Sequence, residues 1–574
     1  MHTPPLLSRP PSLRRFIARS LLLSGVALAA IAAHAASAAS AEKPNILLVL
    51  CDDLGYSDLG CYGGEIPTPN IDALATRGLR FTHMSNSARC CPTRASLLTG
   101  VHPAQAGIPN FNGELAENTA TLAEVLRTRG YQTYMTGKWH VGTSAAASPT
   151  NRGFDEFYGF TNGHSQDQWN PAKYQRLPAT RTPELAFPPG KFYATDVFTA
   201  YAQEFIRQAT AKQQPWLLYL AHSAPHFPLQ APAESTKALL ATYRQGWDVL
   251  RSARFNRLKQ IGLMTDERWK LGPLSLVPVE ANNAIANGYS GQPNPAWSSL
   301  DAARREDLAH RMAIYAAMVK HIDDGIGRIV QQLKAAGTYE HTLILFTSDN
   351  GACYEWGPFG FDGVSRAAKT ILHTGADLTA MGTTHEEISY GSAWANLSNT
   401  PFRLYKHFTH EGGIVSPFIV HWPQGVTSPG RWVRDPAHVM DIMPTLVEAA
   451  GATYPSTRNG TAVQRLEGVS LAPTFRGTAA LPERAICYQH QGAYAIRKGP
   501  WKLVKGKRFP AEAVWELYNI HADPTEQHDL ATQNPALVAA LAQEWDQWAE
   551  RTGSLVKNPP PAALNPSKKK ASKS

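Results

Sequence analysis

The chain has 574 residues, of which 43% are hydrophobic and 18% charged, the composition of an ordinary globular protein. This balance excludes an intrinsically disordered chain, and the length allows a large core and two structural units. The formal net charge of +9 suggests a nucleic acid or membrane partner, but its location argues against both. Four arginines in the first 19 residues and four lysines in the last seven account for eight of these charges, so the body is nearly neutral.

The first 41 residues have the pattern of an export signal. Arg14 and Arg15 precede an apolar run at 21–33, and small residues follow, with a candidate cleavage site at 39–41. The apolar run is too short to cross a membrane. We therefore predict a signal peptide at 1–41 and an exported protein, periplasmic or secreted, without stable membrane association. The sequence leaves the Sec and twin-arginine routes open.

Strand-like and helix-like patterns alternate from residue 44 to about 450. Apolar runs predict buried strands at 44–50, 79–82, 131–135, 216–220 and 342–346. Capped or amphipathic segments predict helices at 69–75, 122–129, 247–261, 312–333 and 441–451. This alternation predicts an α/β fold with a large, mostly parallel sheet flanked by helices, in a catalytic domain at 42–455.

The composition changes after Pro455. Short β-like runs at 485–488, 494–497, 501–504 and 515–518 predict a small antiparallel sheet, and a helix is expected from 535 to about 551. We assign these elements to a C-terminal α+β subdomain at 456–556. The Pro-, Lys- and Ser-rich end at 557–574 is predicted to be a disordered basic tail.

The stretch 89–100 carries the clearest chemical signal. Cys90 and Cys91 stand directly before a predicted helix whose first residue is Pro92. Free backbone N–H groups and the positive end of the helix dipole then surround Cys90, with Arg94 in the same turn. This pattern indicates an anion site that contains a sulfur nucleophile or its derivative. Two small core cysteines are the plainer alternative, and a strained disulfide between neighbours is disfavoured.

Oxygen-bearing side chains follow two of the predicted strands. Asp52 and Asp53 come after the first strand, and Asp349 and Asn350 come after the strand at 342–346. The carboxyl ends of strands are where α/β sheets hold ligands, and oxygen-only side chains suit Ca²⁺ or Mg²⁺. Each pair could also simply cap a turn.

Basic side chains follow other strands. Lys138 and His140 come after the strand at 131–135, and on an extended segment residues two apart point the same way. His226 lies between two prolines after the strand at 216–220, and Lys406 precedes the run Glu411-Gly412-Gly413. Taken singly, each is also compatible with a surface or loop residue.

Together these motifs resemble the type I, formylglycine-dependent sulfatases. The run C-x-P-x-R-x-x-x-L-T-G that starts at Cys90 matches the signature in which the first cysteine is oxidised to an aldehyde after translation. The remaining motifs stand in family order across most of 44–530: Asp52-Asp53, Gly-Lys-Trp-His at 137–140, the Pro-His loop at 225–226, Ser-Asp-Asn-Gly at 348–351, and Lys406 before Glu-Gly-Gly. The sequence looks closest to bacterial arylsulfatases, which implies an alkaline phosphatase-like fold. Val415 and Ser416 stand where many members have an arginine.

The resemblance implies a sulfuric ester hydrolase that cleaves a small-molecule or carbohydrate sulfate ester to alcohol or phenol plus sulfate. It implies formylglycine at Cys90, made by a formylglycine-generating enzyme, and one Ca²⁺, with Mg²⁺ as the lesser choice. The implied metal ligands are Asp52, Asp53, Cys90, Asp349 and Asn350.

The implied catalytic residues are Cys90, Arg94, Lys138, His140, His226 and Lys406. Arg94 and Lys138 would hold the aldehyde hydrate, and Lys406 would contact the sulfate. His140 would be the base that releases sulfate, and His226 with Lys406 would assist the leaving oxygen. The chemistry agrees, because attack on a sulfate ester needs a hard cation, fixed positive charge and a strong nucleophile.

Three other functions remain as alternatives. A phosphodiester or phosphonate monoester hydrolase of the same fold can use the same aldehyde. An inactive homologue would keep Cys90 as a thiol. A thiol oxidoreductase would use Cys90 with Cys91 and would need no divalent metal.

Overall fold

The structure is a computed structural model that describes residues 1–2, 43–181, 184–279, 283–365, 369–506 and 514–555. Nearly all of the predicted signal peptide and all of the predicted tail lie outside the described residues. The chain divides into a unit at 1–43 and a unit at 44–574, and the description below concerns the second. Within the described residues, no helix combines the length and apolarity that a membrane crossing requires.

Ten strands form the central sheet. In chain order they are β1 Asn45–Asp52, β2 Leu79–Ser85, β3 Gln132–Lys138, β4 Glu156–Phe160, β5 Gln175–Leu177, β6 Trp216–Pro225, β7 Thr342–Ser348, β8 Val415–His421, β9 Trp432–Val433 and β10 Ala437–His438. Their spatial order is β10-β2-β8-β7-β1-β6-β3-β4-β5, with β9 beside β2. The five strands β7, β1, β6, β3 and β4 are parallel, whereas β8 and β5 run antiparallel to their neighbours. The predicted α/β fold with a mostly parallel sheet is confirmed.

The central strand β1 shows why the apolar run at 44–50 is uninterrupted. Alternate side chains of a strand point to opposite faces of the sheet. Leu47 and Val49 belong to the core on one face, and Ile46 and Leu48 belong to the core on the other. Because helices cover both faces, neither side of β1 can be polar.

The helices lie on both faces of this sheet and in its loops. They are α1 Pro69–Thr76, α2 Cys90–Thr99, α3 Leu122–Arg127, α4 Ala194–Ala211, α5 Ala233–Tyr243, α6 Trp247–Gln260, α7 Asn283–Ala286, α8 Ala302–Ala335, α9 Gly375–Ala380, α10 Gly391–Ser398, α11 Glu411–Ile414, α12 Ile442–Ala449, α13 Ala472–Phe475 and α14 Pro535–Thr552. The apolar residues of α1, α4 and α8 join one core, and those of α2, α3 and α12 join the other. The apolar stripe predicted at 312–333 is therefore core packing.

The C-terminal region contains a hairpin and a small sheet. The hairpin pairs β11 Thr457–Arg458 with β12 Thr461–Ala462. The sheet is antiparallel, with the strands in chain order: β13 Ile486–His490, β14 Ala493–Lys498, β15 Trp501–Lys505 and β16 Glu516–Asn519. Helix α14 packs Leu541 and Trp545 against Ile496 and Leu503 of this sheet. A small antiparallel sheet with one helix is the arrangement that the sequence predicts.

Helix α2 begins two residues earlier than predicted. Its first residue is Cys90, so Pro92 is the third helical residue instead of the first. The prediction of Pro92 as the first residue is wrong. No N–H group in the first turn of a helix has a partner within the helix, so proline, which lacks this group, is tolerated throughout the first turn. As a result Cys90 is itself part of the helix N-terminus.

Helix α6 is a structural part of the core, although its charges suggest a surface helix. Arg254 is fully buried, and its guanidinium donates to Asp58 Oδ1 at 2.7 Å and to both carboxylate oxygens of Glu65 at 2.7 Å. Asp58 Oδ2 accepts from the Gly55 N–H at 2.8 Å and from the Tyr315 hydroxyl at 2.6 Å. Arg254 therefore holds the loop that directly follows the carboxylates at the end of β1.

Removal of the Arg254 charge is expected to destabilise the fold strongly. The Arg254→Met variant leaves fully buried Asp58 without its cation and leaves Glu65 with Arg257 alone, and breaking such a buried pair typically costs about 3–5 kcal/mol of unfolding free energy. Arg244→Met is the matched control, because Arg244 is exposed and pairs with half-buried Glu306; its loss is expected to cost less than about 1 kcal/mol. Urea denaturation of both variants measures the difference. Equal, small losses would contradict a structural role for Arg254.

Candidate active site

The predicted functional residues meet at one edge of the central sheet. Asp52 and Asp53 lie at the end of β1, Lys138 ends β3, His226 directly follows β6, and Asp349 directly follows β7. Because these four strands are parallel neighbours, their carboxyl ends are close in space. Helix α2 supplies Cys90 and Arg94 to this edge, and the loop between α10 and α11 supplies Lys406.

The four predicted oxygen ligands are buried and in mutual contact. The Asp53 N–H donates to Asp349 Oδ1 at 3.3 Å, and Asn350 Nδ2 donates to Asp53 Oδ1 at 2.6 Å. Asp53 has a φ of 65°, in the left-handed region that Asp tolerates better than most residues. This backbone turn lets two adjacent carboxylates, Asp52 and Asp53, enter the same site.

Three cations face the three carboxylates. Lys138 Nζ donates to Asp52 Oδ2 at 2.5 Å, and Lys406 Nζ donates to Asp53 Oδ2 at 3.0 Å. The Arg94 guanidinium donates to Asp349 Oδ2 from Nε at 3.0 Å and from Nη2 at 2.7 Å. Buried charges require such partners, so the site is a matched set and not a chance cluster.

The pKa values reflect this crowding. Burial and the neighbouring Asp52 charge raise the pKa of Asp349 well above its usual range, and burial raises the pKa of Asp53 to about 6. Burial also acts on Asp52, but the charges of Lys138, His226 and Arg94 outweigh it and lower the pKa of this carboxyl. A site with this much mutual repulsion between carboxylates gains stability from an additional cation.

Two buried oxygens are suited to that cation. Among the described residues, Asp52 Oδ1 and Asn350 Oδ1 have no hydrogen-bond partner. Ligand atoms of Asp52, Asp53 and His226 also lie within 4.8 Å of one another. His226 Nδ1 lies 2.6 Å from the Phe227 carbonyl oxygen, which places a ring proton on Nδ1, and Nε2 lies 3.3 Å from Asp53 Oδ2. These oxygen donors fit a hard divalent ion.

Cys90 lies in an electropositive environment at the start of α2. Its side chain is only 1% exposed, and burial alone would raise its pKa. A hydrogen bond with Cys91, together with Lys138 and His140, instead lowers the pKa of the Cys90 thiol well below its usual value. Cys90 acts electrostatically on all three carboxylates, which locates it beside them. All six cysteines are free, so Cys90 and Cys91 form no disulfide.

Lys138 and His140 reach the site by a different path from the predicted one. Strand β3 ends at Lys138, and His140 has a φ of 58°, so the two residues do not share an extended segment. Both side chains nevertheless act on Cys90: Lys138 helps to lower the pKa of its thiol, and a ring nitrogen of His140 lies within 4.8 Å of the sulfur atoms of Cys90 and Cys91.

Three residues that the sequence analysis did not identify border the site. The His164 ring lies 5.7 Å from that of His226, and the Phe111 ring lies 5.7 Å from that of His140 and 5.9 Å from that of His164. Glu355 is buried, and its charge helps to raise the pKa of Lys406. Phe111 and His164 occur in loops without a recognisable pattern; only Glu355, four residues after the Ser-Asp-Asn-Gly run, follows a motif.

Comparison with known proteins agrees with this geometry. The sulfatase family profile matches residues 44–452, and that of the C-terminal region of N-sulphoglucosamine sulphohydrolase matches 402–550. An arylsulfatase of Klebsiella aerogenes is 32% identical over 473 residues, which cover 79% of this chain and 95% of that protein. An uncharacterised sulfatase of Schizosaccharomyces pombe is 31% identical over 551 residues, which cover 89% and 94%.

A solved structure shows the same fold. The crystal structure of Ps i-CgsB in complex with k-i-k-neocarrahexaose matches with a TM-score of 0.61 and 26% identity, covering 88% of this chain and 93% of that one. The fold, the site and these matches define an enzyme that hydrolyses sulfate esters. The chain belongs to the sulfatase family, and the resemblance seen in the sequence motifs is confirmed.

His164 is expected to assist turnover as a neutral group. Burial and the Lys138 charge lower its pKa to about 4, so the ring stays uncharged from pH 5 to 8. The His164→Gln variant is expected to lower kcat/KM about tenfold, which corresponds to a loss of ~1.4 kcal/mol of transition-state stabilisation. The shape of its pH profile is expected to stay unchanged between pH 5 and 8. His528→Gln, at an exposed histidine, is the control. An inflection between pH 5 and 8 that disappears in His164→Gln would contradict the expected pKa.

Proposed function

We propose that the protein is an arylsulfatase-type sulfuric ester hydrolase that uses formylglycine derived from Cys90 and a bound Ca²⁺. The main support is the position of Cys90 at the helix N-terminus beside three carboxylates and three cations. The similarity to the arylsulfatase of Klebsiella aerogenes supports the choice of an aryl sulfate as test substrate. The proposed product is an alcohol or phenol together with inorganic sulfate.

The cation has a defined place in this proposal. Asp52, Asp53, Asp349 and Asn350 would hold Ca²⁺, which supplies a Lewis acid for the sulfate oxygens and lowers the pKa of a bound hydroxyl. The two oxygens without partners, Asp52 Oδ1 and Asn350 Oδ1, support this assignment. Lys138 and Lys406 occupy the other carboxylate oxygens and so orient Asp52 and Asp53.

The modification of Cys90 supplies what a thiol cannot. The hydrated aldehyde carries two hydroxyls on one carbon, one to attack sulfur and one whose loss of a proton later releases sulfate. Arg94 would stabilise this group through its charge, and the guanidinium is held in place because Nη1 donates to the Lys138 carbonyl at 2.8 Å while Nε and Nη2 donate to Asp349. The positive end of the α2 dipole would stabilise negative charge on the sulfate.

The two histidines would handle protons. Burial lowers the pKa of His140, so at neutral pH its ring is uncharged and can accept a proton from the group at Cys90. Lys406 is fully buried, and Asp53 raises its pKa well above the usual value despite that burial. Lys406 would therefore remain an ammonium that stabilises the sulfate and, with His226, the leaving oxygen.

The proposed modification is tested on the protein isolated after co-expression with a formylglycine-generating enzyme. We expect mass spectrometry of the peptide that contains Cys90 to show an aldehyde in place of the thiol. Cys90→Ala is expected to lower aryl sulfate turnover by at least ~10³-fold, since it removes the nucleophile. Cys91→Ala, at the adjacent buried cysteine, is the matched control and is expected to stay within about tenfold of the parent. An unmodified Cys90 in a protein with full turnover would refute the proposal.

The metal is tested by removal and replacement. Dialysis against EGTA is expected to abolish aryl sulfate turnover and to lower the Tm, and Ca²⁺ is expected to restore both. At a concentration 100 times Kd, a bound ion adds about 2.7 kcal/mol of stability. The Asn350→Ala variant should need more Ca²⁺ for the same Tm. Turnover that survives chelation would exclude the metal, and recovery with Mg²⁺ but not with Ca²⁺ would assign the site to Mg²⁺.

A further inference from the structure

A second basic cavity lies between strand β2 of the central sheet and the C-terminal sheet. Its volume is about 190 Å³, far more than the ~15 Å³ that one water needs. It shares no lining residue with the Cys90 site. The arginines and histidines that line it are His83, Arg268, Arg434, Arg497 and His521, and Glu411 is the one acidic residue in its described lining.

Two of the arginines stand at the open rim. Arg268 is exposed, and its Nε donates to Asp266 Oδ1 at 2.8 Å. Arg434 is also exposed and donates to the carbonyls of Gly262 at 2.9 Å and Leu263 at 3.0 Å. Those carbonyls are neutral acceptors, so the Arg434 charge is not neutralised by them.

Arg497 is the unusual member of this cluster. It lies on β14 and is only 8% exposed, and its Nη1 is buried without a hydrogen-bond partner. Among the described residues, no carboxylate approaches its guanidinium within 4 Å. A buried cation that lacks a partner carries a large desolvation penalty, and an anion in the cavity would remove it.

The acidic residue in the cavity lining already has hydrogen-bond partners. Glu411 accepts from Lys502 Nζ at 2.6 Å and lies 2.8 Å from His83 Nε2. Lys502 in turn is shared with Glu526, at 2.8 Å. Both oxygens of Glu411 therefore have hydrogen-bond partners other than Arg497, whose charge helps to lower the pKa of Glu411 while its Nη1 stays open to a ligand.

We propose that this cavity is a second anion site, which binds a tetrahedral oxyanion, a sulfate or phosphate group, on Arg497. The guanidinium presents N–H donors in a fork that matches two oxygens of such an anion. Arg434 and Arg268 at the rim can meet the remaining oxygens from other directions, which suits a tetrahedral group better than a planar carboxylate. The group can come from free inorganic anion or from a sulfate on an extended substrate.

The site is tested by binding, without any dependence on turnover, so its failure and that of the proposed catalytic function are distinguishable. Crystals of the protein are soaked in selenate, an anomalous scatterer with the shape of sulfate. We expect selenate at Arg497 in the parent protein and in Lys498→Gln, and none at this position in Arg497→Gln. Lys498 is the matched control because it is adjacent, exposed and paired with Glu544. Absence of selenate at Arg497 in the parent would overturn the proposal.

A solution measurement tests the same site independently. Stabilisation by inorganic sulfate is measured as the rise in Tm from 0 to 50 mM for the parent, Arg497→Gln and Arg434→Gln. Both variants are expected to show a smaller rise than the parent, whatever their Tm without sulfate. Equal rises in all three proteins would overturn the site.

The two sources of the oxyanion are separated by a second probe. Dextran sulfate oligosaccharide replaces inorganic sulfate in a titration of the parent and Arg497→Gln. If the site serves an extended substrate, the Kd for the oligosaccharide rises at least tenfold in Arg497→Gln. If it serves the free anion, only the response to inorganic sulfate depends on Arg497. If neither the Kd for the oligosaccharide nor the response to inorganic sulfate changes in Arg497→Gln, the proposed site is refuted.

Discussion

The structure depends on the balance of charge at the carboxyl end of its central sheet. Asp52, Asp53 and Asp349 are buried side by side, and each would be unstable there alone. Lys138, Lys406 and Arg94 supply one cation to each of them. These cations come from β3, from the loop before α11 and from α2, so the electrostatic requirement of the site also holds distant parts of the chain together.

Close backbone packing maintains this arrangement. A Cβ on Gly351 would lie 1.8 Å from the Gly412 carbonyl oxygen, so only glycine allows the loop after Asn350 to contact the Glu-Gly-Gly segment. The Gly351 N–H donates to the Gly413 carbonyl at 3.1 Å, and Asn399 Nδ2 donates to the Gly412 carbonyl at 2.8 Å. The same segment carries Glu411, which lines the second cavity. One short stretch therefore borders both the sulfatase site and the Arg497 cavity.

Much of this could be predicted from the sequence, for identifiable reasons. The strands β1 and β7 are uninterrupted apolar runs, and polar side chains follow them directly, so both the strands and the candidate ligands were recognisable. The residues that were missed, such as His164 and Phe111, lie on loops whose course depends on packing against other segments. Arg254 and Arg497 look like ordinary surface charges in the sequence, because helical or strand periodicity does not reveal which charge is buried.

The sequence by itself determined the fold class and the family, and it predicted the side chains of the candidate site, since these follow from apolar periodicity and from short motifs with fixed spacing. Only the tertiary structure decided how those side chains pair. Lys138 opposite Asp52 and Lys406 opposite Asp53 are contacts between segments that are distant in the chain. Such contacts depend on strand order and loop geometry, which local sequence does not specify.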